Sequence, residues 1–236
     1  MKGFFKRPKL SPAGKRLVCC CSLLAFALGC AQGADEDWDI ALLDTARTAH
    51  YLTEEEKNVV LEMNKVRNNP GLYARTYIEP RLAWFGGPFG DDHYRRPGED
   101  VYIRQTGGKA AVVDTANALS RLSSRQPLNP SLGMSLAARD HTLDAGANGI
   151  RGHNGSDGSS PGARLNRYGS WSGGMGETIS YSYNTARDIV IQLLISEGHR
   201  NVMVGGAYRH TGVSIGVHTS YAYMCTIKYN TSYTEK

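Results

Sequence analysis

With 236 residues, 41% of them hydrophobic and 21% charged, the chain has the make-up of an ordinary soluble globule, long enough for one large domain or two small ones. Its net charge of +5 comes from one end: six of the 27 Lys and Arg (Lys2, Lys6, Arg7, Lys9, Lys15 and Arg16) and none of the 22 Asp and Glu precede Cys30, which leaves 21 against 22, a formal −1. The basic total is therefore no argument for a nucleic acid partner. With Cys19, Cys20, Cys21 and Cys30 all in that first stretch, Cys225 alone remains in the body, and a disulfide framework is excluded.

The basic start is followed by "LVCCCSLLAFAL", residues 17–28, too short for the roughly 20 residues of a membrane-spanning helix and of the right length for an export signal. "ALGCAQG" then resembles a bacterial lipobox, which would place the lipid on Cys30. The expected organisation is a lipoprotein-type signal over residues 1–29, an acidic tether over 30–51 and a folded domain over 52–236.

In chain order, "TEEE" offers a capping box, Thr53 with Glu56 three residues on, and Val59, Val60, Met63 and Val66 recur at helical spacing up to "NNPG". From Pro80 to about Gly108 a stretch rich in Gly, Pro and aromatics shows no sustained period and reads as a long, lid-like excursion. A second helix is expected over about 110–123, and a third carries Leu132, Leu136, Leu143 and Ala147 on one face. "GETISYSYN" alternates as a half-buried strand, "TARDIVIQLLISEG" returns to helical spacing with Gly198 as its stop, and "GVSIGVH" with "YAYMCTIKYN" forms a closing hairpin. Cys225 falls in that last alternating run and is expected to be a buried strand residue. Helices early and strands late imply an α+β fold, with helices packed on an antiparallel sheet.

Three stretches put ionisable groups beside glycines: "GHNGSDG" with His153, "GMGETI" with Glu177, and "ISEGHRN" with Glu197, His199 and Arg200. Two neutral imidazoles in one cleft could hold Zn²⁺ or a similar divalent cation, with a carboxylate as ligand, orienter or base. Singly, each has a plainer reading: a solvated turn histidine, or an exposed glutamate at a strand end. His141 and Asp140 lie on the third helix, and Tyr168, Trp171 and Tyr181 are core or cleft-wall aromatics. The sequons at Asn154 and Asn230 carry no weight in a lipobox-bearing chain, and "NGSDG" lacks the twelve-residue frame of a calcium loop.

Taken together, "AARDHTLDAGANGIRGHNGSDGSSPGARLNRYG", "GETI", "ISEGHRN" and "HTGVSIGVHTSYAYMCTIKY" resemble the bacterial branch of the CAP superfamily, the cysteine-rich secretory, antigen 5 and pathogenesis-related 1 proteins. The resemblance implies a three-layer α-β-α sandwich with a central antiparallel sheet and a cleft in which two histidines and two acids face one another. By position these are His153, Glu177 and His199, with Glu197 as the second acid and Ser196 as its rival. His210 competes with His199, which the "GHRN" match favours.

Three functions compete on these residues. The first is a lipid-anchored surface module binding a divalent metal and a lipid-like or other small ligand. The second is a metal-dependent hydrolase acting on protein or envelope, since no G-x-S-x-G elbow, H-E-x-x-H helix or Cys/His pair supplies another nucleophile. The third is a scaffold for a host or envelope partner, with Trp84, Phe85 and Tyr94 of the excursion as its contact surface.

Overall fold

Thr53 caps the first long helix, α2 (Glu54–Asn68), as the sequence leads one to expect: its hydroxyl accepts from the Glu56 amide while the Glu56 carboxylate accepts from the Thr53 amide. The structure, a computed structural model, describes residues 37–236. The expected signal, the Cys30 site and the first part of the expected tether lie outside the described residues. Among the described residues no helix is long and apolar enough to cross a membrane.

The folded unit begins at Trp38, earlier than the boundary at residue 52 expected from the sequence. A short helix α1 (Ile40–Leu43) follows, and Trp38, Leu43, Ala46, Ala49 and Leu52 are all buried. The Trp38 indole stacks on Tyr77, 5.9 Å between ring centroids and 12° from parallel, and Asn64 of α2 donates to the carbonyls of Leu43 and Leu128. Acidic residues outside and apolar ones at intervals inside make this stretch look like a linker in sequence. Its apolar minority is what the core takes up.

After α2 come a short helix α3 (Pro70–Tyr73), a π turn (Ala74–Ile78) and a 3-10 turn (Glu79–Trp84). The expected excursion is ordered as an antiparallel hairpin of β1 (His93–Arg95) and β2 (Tyr102–Arg104), leading into α4 (Gly108–Ser120). Its anchor is Asp188: Arg96 binds that carboxylate with both terminal nitrogens at 3.0 and 3.1 Å, and Arg81 adds a third bond at 3.3 Å.

The main sheet has the order β3-β5-β6-β4, from β3 (Asn129–Pro130), β4 (Gly169–Tyr181), β5 (His210–His218) and β6 (Ala222–Glu235). The two-residue β3 runs parallel to β5, and the remaining pairings are antiparallel. Helices α5 (Leu132–Asn148) and α6 (Pro161–Tyr168) pack on one face. On the other lie α2, α7 (Ala186–Ile195) and α8 (Glu197–Met203), against Val213, Cys225, Ile227 and Tyr229. This is the expected α+β sandwich.

Three local expectations are corrected. The buried face of α5 is Met134, Ala137, Ala138, His141, Thr142 and Ala145, whereas Leu132 and Leu143 are exposed. Small residues win because the helix lies almost on the strand: a Cβ on Gly212 of β5 would sit 2.2 Å from the Met134 carbonyl carbon. β4 begins at Gly169, well before "GETI", with a bulge between Ser172 and Met175 that its glycines absorb. Gly198 is no helix stop: α7 ends at Ile195, and Gly198 lies within α8.

Candidate functional site

His153 stands in the loop between α5 and α6, and that loop is held from several sides. Gly149 ends α5 in the left-handed conformation (φ 65°). His218 Nε2 lies 3.0 Å from the Ile150 carbonyl, and His141 Nε2 lies 2.9 Å from the Gly152 carbonyl, so each ring donates from Nε2. The Gly152 amide donates to the Tyr181 hydroxyl at 2.9 Å. Arg164, buried in α6, reaches back to the carbonyls of His153 at 2.9 Å and Ser159 at 2.6 Å. A stretch that looks like a solvated turn is thus a fixed platform.

His153 Nδ1 meets Glu177 Oε1 at 2.8 Å. The Glu177 side chain is only 2% exposed, that of His153 49%, so the pair joins a buried carboxylate to an imidazole open to solvent. The same carboxylate binds Arg164 at 3.1 Å and forms an ion pair with Lys228, its register partner on β6. Burial pushes the Glu177 carboxyl up, but the His153 hydrogen bond and the Lys228 and Arg164 charges outweigh it and hold the group at about 2. Burial pulls the Lys228 ammonium down to about 8, against the raising effect of Glu177. Both groups are charged at neutral pH. Since the ionised Glu177 only accepts, His153 donates from Nδ1, and in the neutral ring it is Nε2 that carries the lone pair.

His199 comes from the other layer. Gly176 and Glu177 are successive strand residues and point to opposite faces. A Cβ on Gly176 would sit 2.7 Å from Val202 of α8, so the missing side chain lets α8 lie against the strand. Arg200, 4% exposed, locks the turn before it, donating to the Leu194 carbonyl at 2.9 Å and to Asp114 and Thr115 of α4 at 2.7 and 3.1 Å. β4 is an edge strand of its sheet, so groups from the two layers can approach past it. Burial lowers the His199 pKa, and the nearby His153 ring lowers it further. The His199 Nδ1 is buried and has no hydrogen-bond partner among the described residues.

His153 and Glu177 are thus in contact and His199 lies within electrostatic reach of the His153 ring, while Glu197 is exposed at the start of α8 and makes no hydrogen bond or ion pair among the described residues. Ser196, its rival, occupies the N-cap position of that helix without a side-chain capping bond. His210 opens β5 beside Asn129, and Asp140 binds Arg167 and Tyr168. Trp171 and Tyr168 pack on Met134 and Leu165, while Tyr181 supports the His153 loop. Cys225 is fully buried and its thiol is pushed well up by burial.

The donor set fits a divalent cation in part. Two imidazole nitrogens are available, His153 Nε2 and the unpartnered Nδ1 of His199. Among the described residues, however, no three His, Cys, Asp or Glu side chains converge to hold a metal. The Glu177 oxygens already serve His153, Arg164 and Lys228, which suits an orienting partner better than a ligand. Arg164 and Lys228 were not singled out from the sequence. The one signal was Lys228 itself, a charge inside the apolar run "CTIKY".

The family model of the cysteine-rich secretory protein family, CAP, matches residues 86–229, more than half of the chain. The chain belongs to the CAP family. The match spans His153, Glu177 and His199, and it begins after α2, although α2 shares the core. Among solved structures the CAP domain is similar to an outer surface protein of Borrelia burgdorferi, with 16% identity, a TM-score of 0.40, and 46% of this chain and 78% of that one covered. It is also similar to an extracellular SCP-domain protein of Bacillus anthracis str. Ames, with 18% identity, a TM-score of 0.38, and 52% and 38% covered. Among curated proteins, none matches the chain.

Proposed function

We propose that the chain is an exported CAP-domain protein, lipid-anchored through Cys30 at the bacterial envelope or cell surface, whose His153 and His199 take up a divalent cation such as Zn²⁺. The observation that carries this reading is the buried Nδ1 of His199, unpartnered among the described residues, within electrostatic reach of a second imidazole whose own Nδ1 is tied to Glu177. A buried nitrogen without a partner calls for one, and a lowered pKa keeps it in the lone-pair form that a metal needs. Water and a small ligand, lipid-like or otherwise, would fill the remaining positions. When bound, the cation would act as a Lewis acid toward that ligand.

Hydrolysis is the weaker reading. A carboxylate held at about 2 and clamped by two cations is a poor proton acceptor near neutral pH, so Glu177 orients His153 rather than serving as a general base. Cys225 is out of reach of substrate.

Calorimetric titration of the full chain with Zn²⁺ tests the proposal. Saturable heat is expected in the wild type and its loss in His153→Ala with His199→Ala; equal heats in both would remove the metal from the account. Glu177→Gln, which removes the orienting charge, is expected to weaken Zn²⁺ by about 10–100-fold.

A further inference from the structure

A cavity lies away from His153 and His199, between residues 83–87 and the tip of the β1–β2 hairpin. It measures about 530 Å³. That falls within the roughly 300–1,000 Å³ typical of small-molecule sites. None of its lining residues belongs to the histidine site.

We propose that this cavity is a second binding site, for an uncharged saccharide of one or two rings. The lining chemistry selects that class. Trp84, Phe85 and Tyr102 supply aromatic surface, while Ala83 and Pro97 are the only aliphatic side chains of this lining, too little for an acyl chain. Arg95 and Arg96 are balanced by Glu99 and Asp100, and Arg96 is already committed to Asp188. Without a surplus of positive charge, a phosphate or a polyanion has nothing to hold it. Aromatic faces beside guanidinium and carboxylate groups match a ligand with apolar ring faces and a belt of hydroxyls that both donate and accept.

The walls are set before any ligand arrives. The Tyr102 ring is pressed against Gly87, where a Cβ would sit 2.2 Å from it. Arg81 lies over the Trp84 indole at 4.7 Å, and Arg95 over Tyr102 at 5.4 Å. The Glu99 amide closes the hairpin tip onto the Arg96 carbonyl at 3.1 Å. Gly86 and Gly98 hold positive φ with nothing within 4 Å of a would-be Cβ, so the rim is open there. A preset site loses less on binding than one that must be ordered.

The test is isothermal calorimetry on the full chain with lactose, maltose and N,N′-diacetylchitobiose, and with inorganic phosphate and sodium octanoate for contrast. At least one disaccharide is expected to bind, with affinity reduced about tenfold or more in Trp84→Ala and in Glu99→Gln with Asp100→Asn. The second variant alters only exposed loop residues and is expected to keep the wild-type melting temperature. His153→Ala is expected to bind saccharide normally, which separates this site from the histidine site. The proposal fails if no disaccharide binds more tightly than about 10 mM, if the loop variant binds unchanged, or if only phosphate or octanoate binds.

Discussion

Glu177 on β4 lies directly across the sheet from Lys228 on β6, and the two form an ion pair within which neither side chain is more than 2% exposed. Arg164 closes the carboxylate from α6. The charge cluster is therefore a junction between strand, strand and helix, with the solvent-facing His153 as its outlet.

Removing one partner of a buried ion pair strands the other charge, which costs about 3–5 kcal/mol. Lys228→Ala is accordingly expected to lower the unfolding free energy by that order in urea denaturation. Lys228→Met combined with Glu177→Gln is expected to lose less than the two single changes summed. Additive losses would mean that the two groups do not act as a pair.

The pH dependence of stability has a definite sign. Glu177 has an ordinary value of 4.5 and is held at about 2 when folded, so the stability it contributes is present above 4.5 and is lost as the pH falls toward 2. Burial, helped by Arg164, lowers His141 below its ordinary 6.5, so its contribution is present above 6.5 and declines as the pH drops through the lowered value. Both act in the same direction. Thermal melting in chelator is expected to fall steadily from pH 6.5 to 3, with Glu177 accounting for at most about 3 kcal/mol. A melting temperature that rises on acidification would contradict both assignments.

The sequence exposed α2 clearly because its cap and its apolar period agree. It hid the inner face of α5, where the sheet is met by Ala137, Ala138, Thr142 and Ala145, residues that carry little hydrophobic signal, while Leu143 points outward. In the same way the histidines and Glu177 were legible through their motifs. The clamp on Glu177 was not, because Arg164 and Lys228 meet only when α6 and β6 are brought to β4. Close approach of α5 also makes a prediction. Gly212→Ala would force a methyl to within 2.2 Å of the Met134 backbone, and it is expected to destabilise the fold by about 1–3 kcal/mol. Wild-type stability in that variant would show that the helix and strand lie further apart.

Trp38 decides where the folded unit starts. A linker tryptophan could be truncated without consequence. Here the indole is 5% exposed, stacks on Tyr77, meets Tyr73 edge-on at 6.4 Å, and lies under the Lys65 ammonium at 5.6 Å. Truncating a buried aromatic of this kind typically costs about 3–5 kcal/mol, because the contacts vanish and the surrounding rings only partly close the gap. Trp38→Ala is therefore expected to lower the denaturation midpoint of the full chain sharply. Trp38→Phe, which keeps a ring against Tyr77, is expected to recover part of the loss. If Trp38→Ala unfolds at the wild-type midpoint, the segment from Trp38 to Leu52 is a tether after all, and the domain begins at the Thr53 cap.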